Sequence, residues 1–437
     1  VGVALIHSFT VYRQRGAFKR WSVMCACLTF AFVIVGTFIS RSGLVQSVHA
    51  FEGDNVSLVL FGGLIAASVL AGIVGLIVRW KSFGPAKAGG DDISSMMSKD
   101  AAYYFNNLIM IVFTLMLTFM TIAPALPFNL KFSTGTYDAI ARPLGVLYLI
   151  VLTVCPLLSW GKTEGRQFWK RARIPGACAL VLFAVLMFYF ATYLLPSYQA
   201  NVAYYQELAG SVSASDMLST LSPAWYYNGL AVVGLLVASL LLFNSLFMLG
   251  RGIRAYREKH GGNVFGAAFG MLANRAASFG GFVSHLAMAV ILVGLIGSSM
   301  YVTERVGYVG YDEATDSTTE DFTIQDFTLK YTSNTIEEMA NGDDILYTVN
   351  YDVFKDGEFV GSVSPAVQLV QSTQQQKLVA GVISFPTEDL FVVYKGVNTN
   401  GDFSMDVRVN PLITPVWVGF GLLMVGVLIA TAGRRGA

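Results

Sequence analysis

The chain has 437 residues, of which 54% are hydrophobic and 13% charged, with a formal net charge of +1. Soluble domains carry about 25% charged residues, so this composition cannot cover a water-facing surface and points to a multi-span membrane protein. The near-neutral balance, without a Lys/Arg-rich run or tail, excludes nucleic-acid binding.

In chain order, the first apolar stretch, Val1–Tyr12, makes about 18 Å of helix against roughly 30 Å of hydrocarbon core. No charged region precedes it, so it does not read as a signal peptide. The expectation is a chain that starts inside a membrane helix, as a fragment or as one half of a split protein. Eight spans follow: Trp21–Ser40, Ser57–Trp80, Phe105–Ala125, Pro143–Trp160, Gly176–Leu195, Tyr227–Gly250, Gly281–Val302 and Pro411–Ala432. Each is long enough to cross a bilayer with some tilt. Alternate loops carry the Lys and Arg: Arg13 to Arg20, Arg79 to Lys99, Lys162 to Arg173, Arg251 to Arg275, then Arg434 and Arg435. These loops face the cytoplasm by the positive-inside rule, whereas Pro196 to Tyr226 holds no Lys or Arg.

Between Glu304 and Asn410 the apolar runs give way to alternation. Ile345, Tyr347, Val349, Tyr351 and Val353 alternate with polar residues, as do Leu390, Val392 and Tyr394, and then Phe403, Met405, Val407 and Val409. Asp356-Gly357 is a hairpin signal. The fold class is therefore an α-helical polytopic membrane protein with a small outer, periplasmic β domain inserted before its last helix. Its divisions are a transmembrane bundle over 1–303, the β domain over 304–410, and a last helix with a tail over 411–437. The β domain holds 18 acidic and 6 basic residues, close to −12, so the remainder is near +13. With no His or Cys it offers no metal chemistry and reads as a docking or shielding module. The four cysteines (Cys25, Cys27, Cys155, Cys178) fall in apolar runs, which argues against disulfides or a zinc site.

There are four histidines. An ionisable group inside a membrane is costly and marks a candidate functional site. His7 lies about six residues before Arg13, and His285 about four residues into its span, so both sit within about 10 Å of the same boundary. Two histidines at matched depth on different helices can ligate a b-type haem between them. The alternative for each is a buried histidine bonded to a neighbouring helix. His49 lies in an outer segment where Leu44, Val45, Val48 and Phe51 recur at helical spacing, which predicts a short amphipathic surface helix. There an imidazole can bind haem iron, shuttle protons or simply pack. His260, within Arg257-Glu258-Lys259-His260, reads as a solvated loop residue. Asn106 and Asn107, at a span entrance, can cap it or bond between helices.

Several stretches resemble the CcmF family, with the NrfE proteins similar. The most specific are Leu5-Ile6-His7-Ser8, Arg15 to Trp21, Gly36-Thr37-Phe38, Arg41-Ser42-Gly43 and Ser47-Val48-His49-Ala50-Phe51. Further matches are Ser98-Lys99-Asp100 with Asn106-Asn107, Pro156 to Trp160, Gly281 to Leu286, Asn350-Tyr351, Asp389 to Val392 and the Pro411 to Gly426 helix. The resemblance runs the whole chain in order. It implies a haem lyase (cytochrome c synthetase) subunit of the bacterial inner membrane. Such a subunit takes haem from a CcmE-type chaperone and attaches its vinyl groups to Cys-x-x-Cys-His thiols of apocytochrome c. Other maturation subunits are its partners, and quinol is an electron source. It also implies that His7 and His285 ligate a resident haem b, that His49 is an axial ligand of the incoming haem, and that Arg41 supports that site. The family's tryptophan-rich WWD segment and second outer histidine have no counterpart here, so the haem-attachment site is expected to need an N-terminal half. A membrane b-type electron carrier and a polytopic transporter are the alternatives. The first leaves His49 and the β domain without a role. The second lacks internal repeats and paired broken helices.

Overall fold

The structure is a computed structural model and describes residues 1–41, 55–84, 93, 95–208, 224–339, 344–371 and 375–432. Among the described residues, eight helices are long and apolar enough to cross a membrane. The predicted polytopic fold with a β domain is borne out. The helices are α1 (Gly2–Arg15), α2 (Lys19–Arg41), α3 (Asn55–Val78), α4 (Lys99–Ile122), α5 (Thr134–Val154), α6 (Gly165–Tyr189), α7 (Leu195–Glu207), α8 (Ala224–His260), α9 (Val264–Asn274), α10 (Ala276–Leu295) and α11 (Ile413–Ala432). By contacts the chain divides into two units. One is Val1–Cys178 with Thr220–Leu230; the other is Ala179–Ser219 with Ala231–Ala437.

In the first unit, α1 packs on α2 and α4. Gly16 ends α1 at φ 71°, where its N–H donates to the Tyr12 carbonyl. Arg13 and Arg15 in the last turn complement the helix dipole. Val11, Ala17 and Phe18 form a small core at this turn, against Trp21, Tyr103, Tyr104 and Trp160. The Ser98 side chain caps α4 by accepting from Ala101 N. The loop before α4 is stitched to the loop after α5: Lys99 N donates to Ser159 O at 3.0 Å and Thr163 N to Met97 O at 2.8 Å.

In the second unit, α10 and α11 touch backbone to backbone. A Cβ on Gly280 would lie 2.4 Å from Ala430 N, and one on Gly426 would lie 2.7 Å from Ser284 N. Small residues let membrane helices approach this closely, where dispersion and lipid exclusion replace the hydrophobic drive. Two boundaries differ from the sequence reading. The expected loop from Pro196 is helical to Glu207, after a π-turn over Phe190–Leu194. Pro196 sits in the first turn of α7, where its missing N–H costs nothing. The loop expected between Arg251 and Arg275 instead holds the end of α8 and the apolar helix α9.

Among the described residues the β module has twelve strands. A four-stranded sheet runs β1 (Thr303–Val309), β12 (Phe403–Pro411), β11 (Glu388–Val397), β10 (Gly381–Ser384). A larger sheet runs β4 (Phe322–Ile324), β5 (Phe327–Glu338), β6 (Ile345–Lys355), β8 (Ala366–Val370), β9 (Gln375–Val379), with β7 (Glu358–Val363) also on β6. A hairpin of β2 (Tyr311–Asp312) and β3 (Ser317–Thr318) adds a third. Every pairing is antiparallel. The alternating residues fill one core, with Phe327, Leu329, Val353, Leu390, Met405 and Val407 fully buried. Asp356 and Gly357 both take positive φ, 50° and 84°, between the paired Lys355 and Glu358. That is the two-residue turn whose twist matches a hairpin.

Candidate functional site

His7 is half-buried on α1. Its Nδ1 lies 2.9 Å from the Val3 carbonyl, which can only accept, so Nδ1 donates and the neutral ring carries its lone pair on Nε2. This is the arrangement found in metal-ligating histidines, where a bond at one nitrogen fixes the tautomer at the other. The ring is tilted 45° to Tyr103 at 5.7 Å, and Tyr103 stacks on Trp160 at 5.8 Å. Two cations lie over Trp160: Arg15 at 5.9 Å and Lys99 Nζ at 5.7 Å. Asp100 pairs with Arg15 at 3.7 Å and accepts from Gly161 N at 2.9 Å. One residue beyond His7, buried Ser8 accepts from Asn107 at 2.8 Å, which ties α1 to α4. The expectation that the paired asparagines bond between helices holds for Asn107, and Asn106 donates to it at 3.3 Å.

His285 is half-buried on α10, beside Ser284, which packs on Gly426. The helix starts at Ala276, five residues before the expected span, so His285 lies deeper than its sequence-based position. His7 stands eight residues before Arg15 and His285 ten after Arg275. Along their own helices these are depths of about 12 Å and 15 Å from a basic residue. The two histidines belong to different units. His49 lies outside the described residues. Arg41 is the last residue of α2 and is exposed. His260 is not in a loop; it ends α8, stacks on Tyr256 at 4.1 Å and donates to the Tyr256 carbonyl at 3.0 Å.

A polar cluster that sequence reading missed lies where the π-turn meets the β module. Tyr193 donates to buried Glu388, and Lys355 pairs with Glu388 and, at 3.4 Å, with Asp326. Lys355 also lies over Phe327 at 4.8 Å and Phe385 at 4.9 Å. Burial works against the Lys355 cation, but the bond it donates to Glu388 and that carboxylate's charge hold it above the usual lysine range. Nearby, Arg305 lies 3.7 Å over Tyr204 and donates to Asn201 at 2.5 Å, while Tyr205 donates to the Glu304 carbonyl. No local sequence signal marks these pairs, because Tyr193 and Glu388 are 195 residues apart. Around His7, Trp160 reads from sequence only as a membrane-interface anchor.

No family model matches the chain. It is similar to the cytochrome c-type biogenesis protein CycK of Rhizobium meliloti, 25% identical over 99% of this chain and 57% of that protein. The cytochrome c-type biogenesis protein CcmF of Pseudomonas aeruginosa is 25% identical over 100% of this chain and 58% of that protein. A solved structure titled cytochrome c heme lyase CcmF superposes with a TM-score of 0.67 at 18% identity, over 98% of this chain and 57% of that one. The chain thus spans a little under three-fifths of the relatives it matches. Across that span it is similar, from its first helix to its last, to the cytochrome c-type biogenesis proteins CcmF and CycK, and it has the fold of CcmF.

Proposed function

We propose that this chain is part of a haem lyase of cytochrome c maturation. The observation that carries the reading is similarity across 99–100% of the chain to proteins of cytochrome c-type biogenesis, with the fold of a haem lyase. The substrates are haem from a CcmE-type chaperone and an apocytochrome c with a Cys-x-x-Cys-His site. The reaction adds each thiol S–H across a haem vinyl C=C, forming a C–S bond with no net change in electron count. Such a reaction is catalysed chiefly by positioning. In this reading His49 holds the substrate iron and orients the vinyl groups, and Arg41 supports that site. The β module, over 304–410, faces the periplasm of a bacterial inner membrane and receives partners.

His7 and His285 would be the axial ligands of a resident haem b. The donor set is two imidazoles carried on apolar helices, the pair that a b-type haem takes, and the Val3 carbonyl bond fixes the His7 ring through Nδ1. When bound, such a group supplies one-electron chemistry, with membrane quinol as the source. Tyr103 and the Ser8–Asn107 bond orient His7, while the tight α10–α11 packing holds the helix that carries His285.

The test uses the chain expressed with the remaining maturation components. His7→Ala and His285→Ala should each abolish a b-type band in the reduced-minus-oxidised spectrum. His49→Ala should keep that band and lose at least tenfold of holocytochrome c yield. Normal maturation in His49→Ala would remove His49 from the chemistry, and absence of the band from the intact complex would remove the resident haem.

A further inference from the structure

Strand β1 is an outer strand of the four-stranded sheet and pairs only with β12. Along an antiparallel strand, successive residues turn their N–H and C=O to opposite sides, so one alternate set meets the partner and the other faces the open edge. In β1 the open set is Glu304, Val306 and Tyr308, continued by Gly310. Glu304 N donates to Asn201 on α7 at 3.4 Å, and its carbonyl accepts from the Tyr205 hydroxyl at 3.2 Å. At the far end the Gly310 carbonyl accepts from Thr319 N at 2.8 Å. Between these two closed ends, the N–H and C=O groups of Val306 and Tyr308 have no partner among the described residues. The outer strands β4, β9 and β10 have three, five and four residues, whereas β1 has seven, with no Pro or Lys in it. Sheets blunt their edges with such devices, and this edge lacks them.

Strand β4 does not fill the edge. It lies on the core side of β1, where Gln325 donates to Thr303 Oγ1 at 2.8 Å and a Cβ on Gly307 would sit 3.7 Å from the Phe322 ring. Between β1 and residues 320–325 runs a groove of about 500 Å³. Arg305 lines it near α7 and is committed to Tyr204 and Asn201. Glu320 and Asp321 line it further along, both exposed and in no ion pair among the described residues. On the opposite face of β1, the Val306 and Tyr308 side chains are 37% and 62% exposed. A strand laid along this edge would turn alternate side chains to the two faces, one set to the carboxylates and the other to Val306 and Tyr308.

We propose that the open edge of β1 takes an extended peptide segment of a partner protein as an added strand, one in which basic residues alternate with apolar ones. Val306 and Tyr308 supply the backbone donors and acceptors that hold it, and the acidic groove selects its side chains. Under the proposed function the segment belongs to the apocytochrome. The binding measured below needs neither haem nor maturation, so its failure is distinct from a failure of that function.

The probe is a fluorescent synthetic peptide of about eight residues in which Val and Lys alternate, titrated into the purified full chain and read by anisotropy. It should bind saturably, and absence of saturable binding overturns the proposal. Val306→Pro removes one edge N–H that the fold does not use, and should weaken binding about tenfold or more, while Val306→Thr, which keeps that N–H, should bind as the unsubstituted chain does. Equal binding by all three overturns strand addition. Glu320→Gln/Asp321→Gln should weaken binding about threefold or more, and no change removes the groove from selection. Should Val306→Pro not fold, the unsubstituted chain carries the test with two further peptides, N-methylated at every Val or at every Lys. An edge reaches only alternate N–H groups, so one methylated set should abolish binding and the other should not. Loss with both peptides, or with neither, overturns the proposal.

Discussion

Glu304 on β1 and Asp406 on β12 are neighbouring carboxylates whose protons behave in opposite ways. Burial raises the Glu304 carboxyl; the Arg408 charge works against that shift, and nearby Asp406 adds to it. Burial also acts to raise Asp406, yet bonds from Arg408 at 3.0 Å and Lys395 at 2.7 Å outweigh it and hold the carboxyl below its usual range. A depressed acid adds stability that is present above its unfolded pKa, about 3.9, and is lost as pH falls through the lower folded value. A raised acid does the reverse: its contribution is present below about 4.3 and is lost as pH rises through the folded value. Asp406→Asn should therefore cost about 2 kcal/mol at pH 7, a value discounted because Arg408 and Lys395 are partly exposed. Glu304→Gln should cost clearly less, and the gap should close below about pH 4. Chemical denaturation of the two variants against pH, followed by a β-module signal, checks both signs.

At the level of elements, the α10–α11 pair makes a sharp contrast between adjacent glycines. A Cβ at Gly280 meets backbone at 2.4 Å, whereas one at Gly281 meets nothing within 4 Å. Gly280→Ala should destabilise the protein by about 1–3 kcal/mol through overpacking, and Gly281→Ala should leave it unchanged. Thermal unfolding of the purified variants in one detergent separates the two outcomes. The eight spans were readable because a helix in lipid must be apolar for its whole crossing. The strands of the β module were readable from alternation, and Asp356-Gly357 from its turn chemistry. The helical end of α6–α7 was not. Pro196 looks like a breaker, and only the π-turn before it lets the helix continue with Pro196 in a first turn. Helix α9 was hidden by its neighbours, since a basic stretch on either side reads as a loop. Of the site, His7 and His285 were visible as rare ionisable groups in apolar runs. Tyr103 was not, because an aromatic residue near a span end is unremarkable until its ring is seen 5.7 Å from His7.

For the molecule as a whole, a net charge of +1 is the sum of two opposed regions. Residues 304–410 hold 18 acids and 6 bases, and the rest of the chain carries the surplus of Lys and Arg. A field of one sign on the β module steers a basic partner and is screened over about 10 Å at 0.1 M salt. Under the proposed function, binding of a basic apocytochrome peptide to the intact protein should therefore weaken severalfold between 50 and 300 mM salt, mostly through its association rate. A salt-independent affinity in surface plasmon resonance would remove the acidic surface from partner capture.

The bonds of Tyr193 to Glu388 and of Asn201 to Arg305 also set the freedom of that module. Its covalent attachments are the exit of α10 into β1 and the entry of β12 into α11. Two such tethers alone would make a hinge, about which a module of this size could swing. Side chains from α7 and the π-turn before it act as a stay across that hinge, fastened through a buried carboxylate. A partner that docks on the module therefore arrives at a fixed platform, and any reach between docking point and membrane has to come from the partner's own chain.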